Sequence, residues 1–225
     1  MKKIINPHPK VNQSLVNEFR KLRDVLSLSC VVADSMERDN VMYSQIKIRT
    51  SSEKFIGPAL TVKLFPGDLV DCLDALRVAE PGDVIVVDAH GETETSIWGG
   101  MMSGLCKVKG VVGAVVDGAI RDTDETRLIG FAVASRAIVP RSTHSPYSQR
   151  MEPIEINVPI HCGGVLVRPG DIVIADEIGV VVVPLEDAPQ VLEKAKAQAE
   201  AEEKTRNRIS QGKTVEELLA EFGRL

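Results

Sequence analysis

Apolar residues at Leu15, Val16, Phe19, Leu22, Val25 and Leu26 recur with a helical period, so Val11 to Leu26 is predicted to be an amphipathic helix. The run Ser29 to Ala33 reads as a short strand, with Asp34 and Ser35 placed to cap the turn or helix after it. Residues 41–54 are polar and irregular and are expected to close at Gly57-Pro58, before a strand from Ala59 to Leu64. Pro66-Gly67-Asp68 is expected to turn the chain, with Asp68 capping a helix through Ala79. The same tripeptide recurs at Pro81-Gly82-Asp83 and Pro169-Gly170-Asp171, each ahead of an apolar run. This is one turn chemistry reused, without the regular period of a solenoid.

From Val84 the pattern predicts a strand, a glycine loop, a helix and a second strand over Val111 to Val116. An Asp-Gly turn at Asp117 and Gly118 then leads to Arg121-Asp122, a helix, and a strand from Ala132 to Ser135. VIVVDA and VVGAVV show no polar alternation, which implies strands covered on both faces. Val139 to Pro153, with its prolines, reads as an exposed loop, and Ile154 to Pro184 as strands broken at Gly163-Gly164 and Gly179. Leu185 to Ile209 is a long helix rich in Ala, Glu and Lys that Gly212 ends. Thr214 and Glu217 form a capping box for a last short helix. The expectation is one α/β domain over residues 1–225, with a core at 28–184, an N-terminal helix at 11–26 and a C-terminal helical arm at 185–225. The middle of the arm has few apolar positions, so it either docks on a neighbouring subunit or stays solvated.

Composition narrows the class. The chain has 225 residues, 44% hydrophobic and 26% charged, enough to bury a sizeable core, which Val, Ile, Leu and Ala must fill because aromatics are only 4%. A net charge of −5 argues against a broad nucleic-acid surface but allows an acidic face for a basic protein partner. No apolar run reaches the roughly 20 residues of a membrane span, and MKKIINPHPK lacks a signal-peptide core, so a cytoplasmic location is expected. Cys30, Cys72, Cys106 and Cys162 lie far apart and are expected to be reduced thiols.

The chemistry concentrates between Trp98 and Glu125. Gly99 and Gly100 precede a helix start, whose free backbone N–H groups suit an anion. Arg121 and Asp122, at a strand end, offer an anion clamp and a hard metal ligand side by side. Together they would hold a small carboxylate beside a divalent cation. Glu125 could instead pair with Arg121 or cap its helix, and Asp117 serves its turn. Asp88 and His90 end a strand and could face the site, but His90 has no partner at ligand spacing. His144 and Tyr147 could reach the distal part of a substrate or lie on a surface loop. His161 and Cys162 are adjacent strand residues that point to opposite faces, so they make no nucleophile pair. Lys107 and Lys109 read as helix-surface residues.

Gly100, twenty residues, Arg121-Asp122, two residues and Glu125 match G-x20-R-D-x2-E/D. This resembles the motif of the class II pyruvate aldolases that cleave 4-hydroxy-4-methyl-2-oxoglutarate and 4-carboxy-4-hydroxy-2-oxoadipate, whose superfamily includes the regulator of ribonuclease E activity A. VIVVDAHG before WGG, GAVVDGAIRD and NVPIHCGGVLVRPGDIVIADEIGVVVVP are also similar to family blocks. The resemblance implies an αββα sandwich assembled as homotrimers or homohexamers, with sites between subunits. It implies that Gly99, Gly100, Met101 and Met102 bind pyruvate through backbone N–H groups. Arg121 would hold substrate, and Asp122 would hold Mg²⁺ or Mn²⁺. A glutamate from a neighbour's C-terminal helix, Glu202 or else Glu203, would approach the metal. The implied reaction is retro-aldol cleavage of a 4-hydroxy-2-oxo diacid to pyruvate and a second oxo acid, with oxaloacetate decarboxylation through the same enolate and no Schiff-base lysine.

Two rivals are a non-catalytic regulator of a ribonuclease or helicase, and a lyase of the same mechanism for another hydroxy-oxo acid. Regulator-type members lack the long terminal helices expected here. Members labelled as menaquinone methyltransferases offer no precedent, because no glycine-rich nucleotide loop follows the first strand.

Overall fold

The computed structural model describes residues 3–51, 53–64, 73–143 and 154–223. In chain order the strands are β1 (Ile4–Ile5), β2 (Lys47–Ile48), β3 (Phe55–Lys63), β4 (Val84–Trp98), β5 (Gly113–Ile120), β6 (Val133–Ile138), β7 (Glu155–Ile156), β8 (Ile160–Cys162), β9 (Val165–Val167), β10 (Ile172–Ala175) and β11 (Val180–Val183). The helices are α1 (Gln13–Arg20, continued by a 3₁₀ turn at Lys21–Asp24), α2 (Leu28–Ser35), α3 (Leu73–Val78), α4 (Gly100–Lys109), α5 (Thr123–Ile129), α6 (Ala188–Ser210) and α7 (Val215–Phe222).

Strands β3, β4, β5 and β6 run parallel, joined by crossovers that carry α3, α4 and α5. β3 is shared between two layers: Phe55–Pro58 pair antiparallel with β10, and Ala59–Lys63 pair parallel with β4. Strand alternation then sorts the apolar side chains into three cores. Leu60, Val62, Ile85, Val87 and Val116 face α3, α4 and α5. Ala59, Val84, Val86 and Val115 face the other way, onto β8–β11. Ile172, Ile174, Val181 and Val183 meet α1, α2 and α6. Helices, sheet, strands and helices therefore stack in the α/β sandwich order that the resemblance implies.

Several expectations need correction. Ser29 to Ala33 is not a strand but part of helix α2. A short apolar run cannot distinguish a strand from a buried helix. What decides is Asp176, from the β10–β11 turn, whose carboxylate accepts the Ser29 N–H at 2.9 Å and its hydroxyl at 2.8 Å, capping the helix from outside the local sequence. Gly57-Pro58 does not close a loop. It lies inside β3, where the strand exchanges β10 for β4, so the proline's missing N–H falls at a change of partner. Asp117-Gly118 is not a turn but the middle of β5, which starts and ends later than Val111 to Val116. The space at Gly118 is tight, since a Cβ would lie 3.1 Å from the Glu92 carbonyl oxygen.

Other expectations hold. The first helix forms but is shorter than Val11 to Leu26, ending with its 3₁₀ turn at Asp24 and leaving Leu26 exposed. It buries Val16, Phe19 and Leu22, each contributing on the order of 2 kcal/mol. Both described Pro-Gly-Asp turns use one device. Asp83 accepts the Glu80 N–H at 2.8 Å and Asp171 accepts the Arg168 N–H at 2.7 Å, while Gly82 and Gly170 take positive φ. The third such turn, with Asp68, lies outside the described residues, as do Cys72, His144 and Tyr147. The capping box on α7 forms in full. α6 buries Ala188, Val191, Leu192 and Ala195, all in its first half.

Candidate active site

The carboxyl ends of parallel strands, where the chain turns into helices, are the usual place for a ligand. Here Trp98 ends β4, Ile120 ends β5, and the Arg121 N–H bonds the Trp98 carbonyl at 2.9 Å, which holds the two exits together. Helix α4 starts at Gly100, and its first intrahelical bond runs from the Ser103 N–H to the Gly99 carbonyl. The N–H groups of Gly100, Met101 and Met102 therefore precede the helical ladder and point out of its start. The Asp122 carboxylate lies against them: Oδ2 accepts the Gly100 N–H at 3.2 Å and sits 3.4 Å from the Arg121 Nε. Both contacts use Oδ2, so among the described residues Oδ1 receives no hydrogen bond.

Asp122 holds the N-cap position of α5, yet its side chain makes no cap bond there. It takes φ 51°, a left-handed conformation that aspartate tolerates better than most residues. The result is a carboxylate turned from its own helix toward the neighbouring one. The glycines make room for it. A Cβ on Gly99 would lie 2.5 Å from Asp122 Oδ2, and one on Gly100 would lie 2.2 Å from Glu125 Oε2. Glu125, exposed in the first turn of α5, thus covers Gly100. Among the described residues it forms no ion pair with Arg121. Arg121 and Asp122 remain about two-fifths exposed, accessible to a ligand.

Beneath this cradle lies a buried hydroxyl network that sequence reasoning missed. Trp98 Nε1 donates to Ser103 Oγ at 2.9 Å, Ser103 Oγ lies 3.2 Å from Thr126 Oγ1, and it also donates toward the Gly99 carbonyl at 3.1 Å. Ser103 and Thr126 are fully enclosed, so the starts of α4 and α5 are locked to each other. The usable signal was the single tryptophan: a buried indole N–H needs an acceptor, and a serine five residues on supplies one.

The remaining candidates fall elsewhere. Met101 is exposed, while Met102 packs partly onto the core. Glu202, on α6, accepts from Gln198 at 3.1 Å and from Arg206 at 3.1 Å, so within this chain it is tied to its own helix. Glu203 pairs with Arg206. Asp117 is buried. Its Oδ1 lies 2.5 Å from the Arg136 guanidinium, and its Oδ2 accepts the Gly163 N–H at 2.7 Å, clamping β5 and β6 to the β8–β9 hairpin. That bond raises the Arg136 pKa above its ordinary value. Burial, followed by the charges of Asp117 and Asp88, pushes the Cys162 thiol well up, away from the nucleophilic thiolate. His161 is exposed on the opposite face, as alternation requires. Asp88 accepts the His90 N–H at 2.9 Å, and the His90 Nδ1 stays 4.0 Å from that carboxylate. Cys30 and Cys162 are free thiols.

A divalent cation fits the donor set only in one style. Among the described residues no three His, Cys, Asp or Glu side chains converge, so a closed tetrahedral nitrogen or sulfur site is not built. One accessible carboxylate oxygen beside a carboxylate-binding cradle suits a hard ion that keeps waters and takes ligand oxygens.

The family model described as RraA-like, Aldolase/RraA, matches residues 29–182. The chain belongs to the RraA-like family. A Halalkalibacterium halodurans protein provisionally named 4-hydroxy-4-methyl-2-oxoglutarate aldolase is 38% identical over 193 residues, 86% of this chain and 87% of that one. The 4-hydroxy-4-methyl-2-oxoglutarate aldolase of Thermus thermophilus is 32% identical over 131 residues, 58% of this chain and 76% of its own. Among solved structures, Streptomyces coelicolor RraAS2, described as an unusual member of the RNase ES inhibitor RraA protein family, superposes with a TM-score of 0.75. It is 30% identical, covering 89% of this chain and 99% of that one. The family thus holds relatives named for a lyase and relatives named for inhibition. No helix of the described residues is long and apolar enough to cross a membrane.

Proposed function

We propose that the chain is a divalent-metal-dependent lyase that cleaves a 4-hydroxy-2-oxo diacid of the 4-hydroxy-4-methyl-2-oxoglutarate type to pyruvate and a second 2-oxo acid. The observation that carries this reading is the convergence, at one helix start, of the Gly100 N–H, the Arg121 guanidinium and the Asp122 carboxylate. The names of the relatives support the same reaction class.

The substrate's 2-oxo acid end would lie at the start of α4, its carboxylate received by the N–H groups of Met101 and Met102 and the positive end of the helix dipole. Arg121 would fork onto the keto oxygen, where negative charge grows as the carbon–carbon bond breaks, so its attraction is greater in the transition state than before it. Asp122 Oδ1 would hold Mg²⁺ or Mn²⁺, which when bound supplies Lewis-acid stabilisation of that same oxygen. The buried Trp98–Ser103–Thr126 network fixes the two helix starts, so the donors need no reorganisation as charge develops. No lysine lies among these groups, consistent with enolate rather than Schiff-base chemistry. Oxaloacetate would lose CO₂ through the same enolate.

An exposed apolar stripe on α4, formed by Met101, Leu105 and Val108, begins at the cradle itself. We read it as covered in a homotrimer or homohexamer, in which the neighbour's Glu202 would approach the metal. The test is pyruvate release from 4-hydroxy-4-methyl-2-oxoglutarate with and without Mg²⁺ or Mn²⁺. Turnover that needs the ion and vanishes in Asp122→Ala supports the lyase. No turnover on any 2-oxo acid, together with inhibition of a ribonuclease, would instead favour the regulator reading suggested by the Streptomyces relative.

A further inference from the structure

The opposite end of the same strands carries a second concavity. A cleft of about 730 Å³ opens where Val111-Val112 lead into β5, Phe131-Ala132 lead into β6, and Phe55-Ile56 begin β3. β5 has eight residues, so Val112, at the floor of the cleft, lies on the order of 25 Å along the strand from Arg121, while Lys107 lies about 10 Å along α4 from Gly100. Its volume is in the range of small-molecule sites.

Its charge sets it apart from the rest of the molecule. Arg20, Arg23, Lys54 and Lys107 line it against one carboxylate, Glu53, in a chain whose net charge is −5. Glu53 is taken by Arg23. Among the described residues the other three cations hydrogen-bond to neutral acceptors. Arg20 donates to the Ile56 carbonyl at 3.3 Å, the Gly82 carbonyl at 2.9 Å and Asn17 Oδ1 at 3.1 Å. Lys54 donates to the Val25 carbonyl, and Lys107 to the Gly130 carbonyl at 3.0 Å. Burial lowers the Arg20 pKa, and the charge of nearby Asp83 opposes this. A role for Lys107 at the carboxyl end of α5 explains one cation of the four. It does not explain Arg20 and Arg23 on one wall and Lys54 beside them.

An oxyanion would bring these cations the opposite charge that neutral carbonyl and amide acceptors do not supply. We infer that this cleft is a second ligand site, distinct from the Arg121–Asp122 site, that takes a small dianion whose oxyanion groups bridge the arginine wall and Lys107. Dicarboxylates and phosphate compounds share that chemistry. The inference does not rest on the lyase reading, because binding here is measured without turnover.

The test is isothermal titration calorimetry of the full chain with succinate and, separately, with pyrophosphate. Binding of either probe that persists in Arg121→Ala with one site per chain is expected, and whichever binds identifies the carboxylate or the phosphate source. Lys54→Gln/Lys107→Gln, both changes at side chains that reach only carbonyls, should weaken binding at least tenfold. Arg121→Ala should bind within twofold of the parent, and raising the salt to about 0.5 M should weaken the parent, since screening acts on exposed charges. Absence of binding by both probes at millimolar concentration, undiminished binding by the double variant, or loss of binding in Arg121→Ala would each overturn the inference.

Discussion

The two ends of the parallel strands use charge in opposite ways. At the carboxyl end Asp122 sits in a left-handed conformation, gives up its own helix cap and stays accessible beside Arg121. At the amino end the acids are spent on architecture. Asp83 binds the Glu80 N–H and His8, Asp171 binds the Arg168 and Leu185 N–H groups, and both are enclosed. Helices α4 and α5 join the two ends. Their starts attract anions and their last turns carry Lys107, Lys109 and Arg127, as the helix dipole favours. The difference teaches that an acid held away from its local role stays available to a ligand, whereas a buried acid fully used by backbone is committed to structure.

The sharpest way to break this contrast is to remove the carboxyl-end charges. Arg121→Ala and Asp122→Ala should each lower pyruvate release by about 10³-fold. Their urea midpoints should stay close to the parent's, because both side chains are half-exposed. Equal losses of activity and stability would place these residues with the structural acids. Next comes the cradle. Gly99→Ala puts a methyl 2.5 Å from Asp122 Oδ2 and should cost about 10²-fold in rate. Gly100→Ala meets the free end of the exposed Glu125 instead, so Gly100→Ala/Glu125→Ala should recover most of any loss. Steady-state kinetics on the three variants would separate the two glycines.

Smaller effects are expected underneath. Ser103→Ala leaves the Trp98 N–H without its acceptor and should destabilise by about 1–3 kcal/mol, read by urea unfolding. The smallest effect belongs to the amino end. Burial, opposed by hydrogen bonds from the Glu80 and Arg168 N–H groups, raises the carboxyl pKa values of Asp83 and Asp171. As pH rises above the ordinary aspartate value the unfolded chain releases these protons first. It then binds fewer protons than the folded one, so their contribution to stability falls until pH passes the raised folded values. Asp171→Asn should therefore flatten the decline of the urea midpoint over that window, and an unchanged slope would contradict the assignment.

Much of this was legible in advance where local rules suffice. Periodicity gave α1, the run rich in Ala, Glu and Lys gave α6, the Thr214–Glu217 pair gave its capping box, and the Pro-Gly-Asp turns declared themselves by chemistry. The convergence of Gly100 with Arg121 and Asp122 was legible too, through the spacing and flanking blocks of a family motif. The errors came where partners far apart in sequence decide. Asp-Gly signals a turn in isolation, yet Arg136 and Gly163 hold Asp117 extended inside β5. Ser29 lies in the first turn of a helix that Asp176, 147 residues later, caps.

By itself, then, the sequence determined the apolar periodicities, the turn residues and the chemical groups available to the site, since each depends on neighbours a few residues away. The tertiary structure alone decided which acid stays accessible and which is consumed inside. It also decided that Ser103 and Thr126 tie the helix starts together, and that four cations from α1, its 3₁₀ turn, the segment before β3 and α4 line one cleft. Those outcomes depend on distances between segments far apart along the chain, which packing of the three cores fixes and no local pattern encodes.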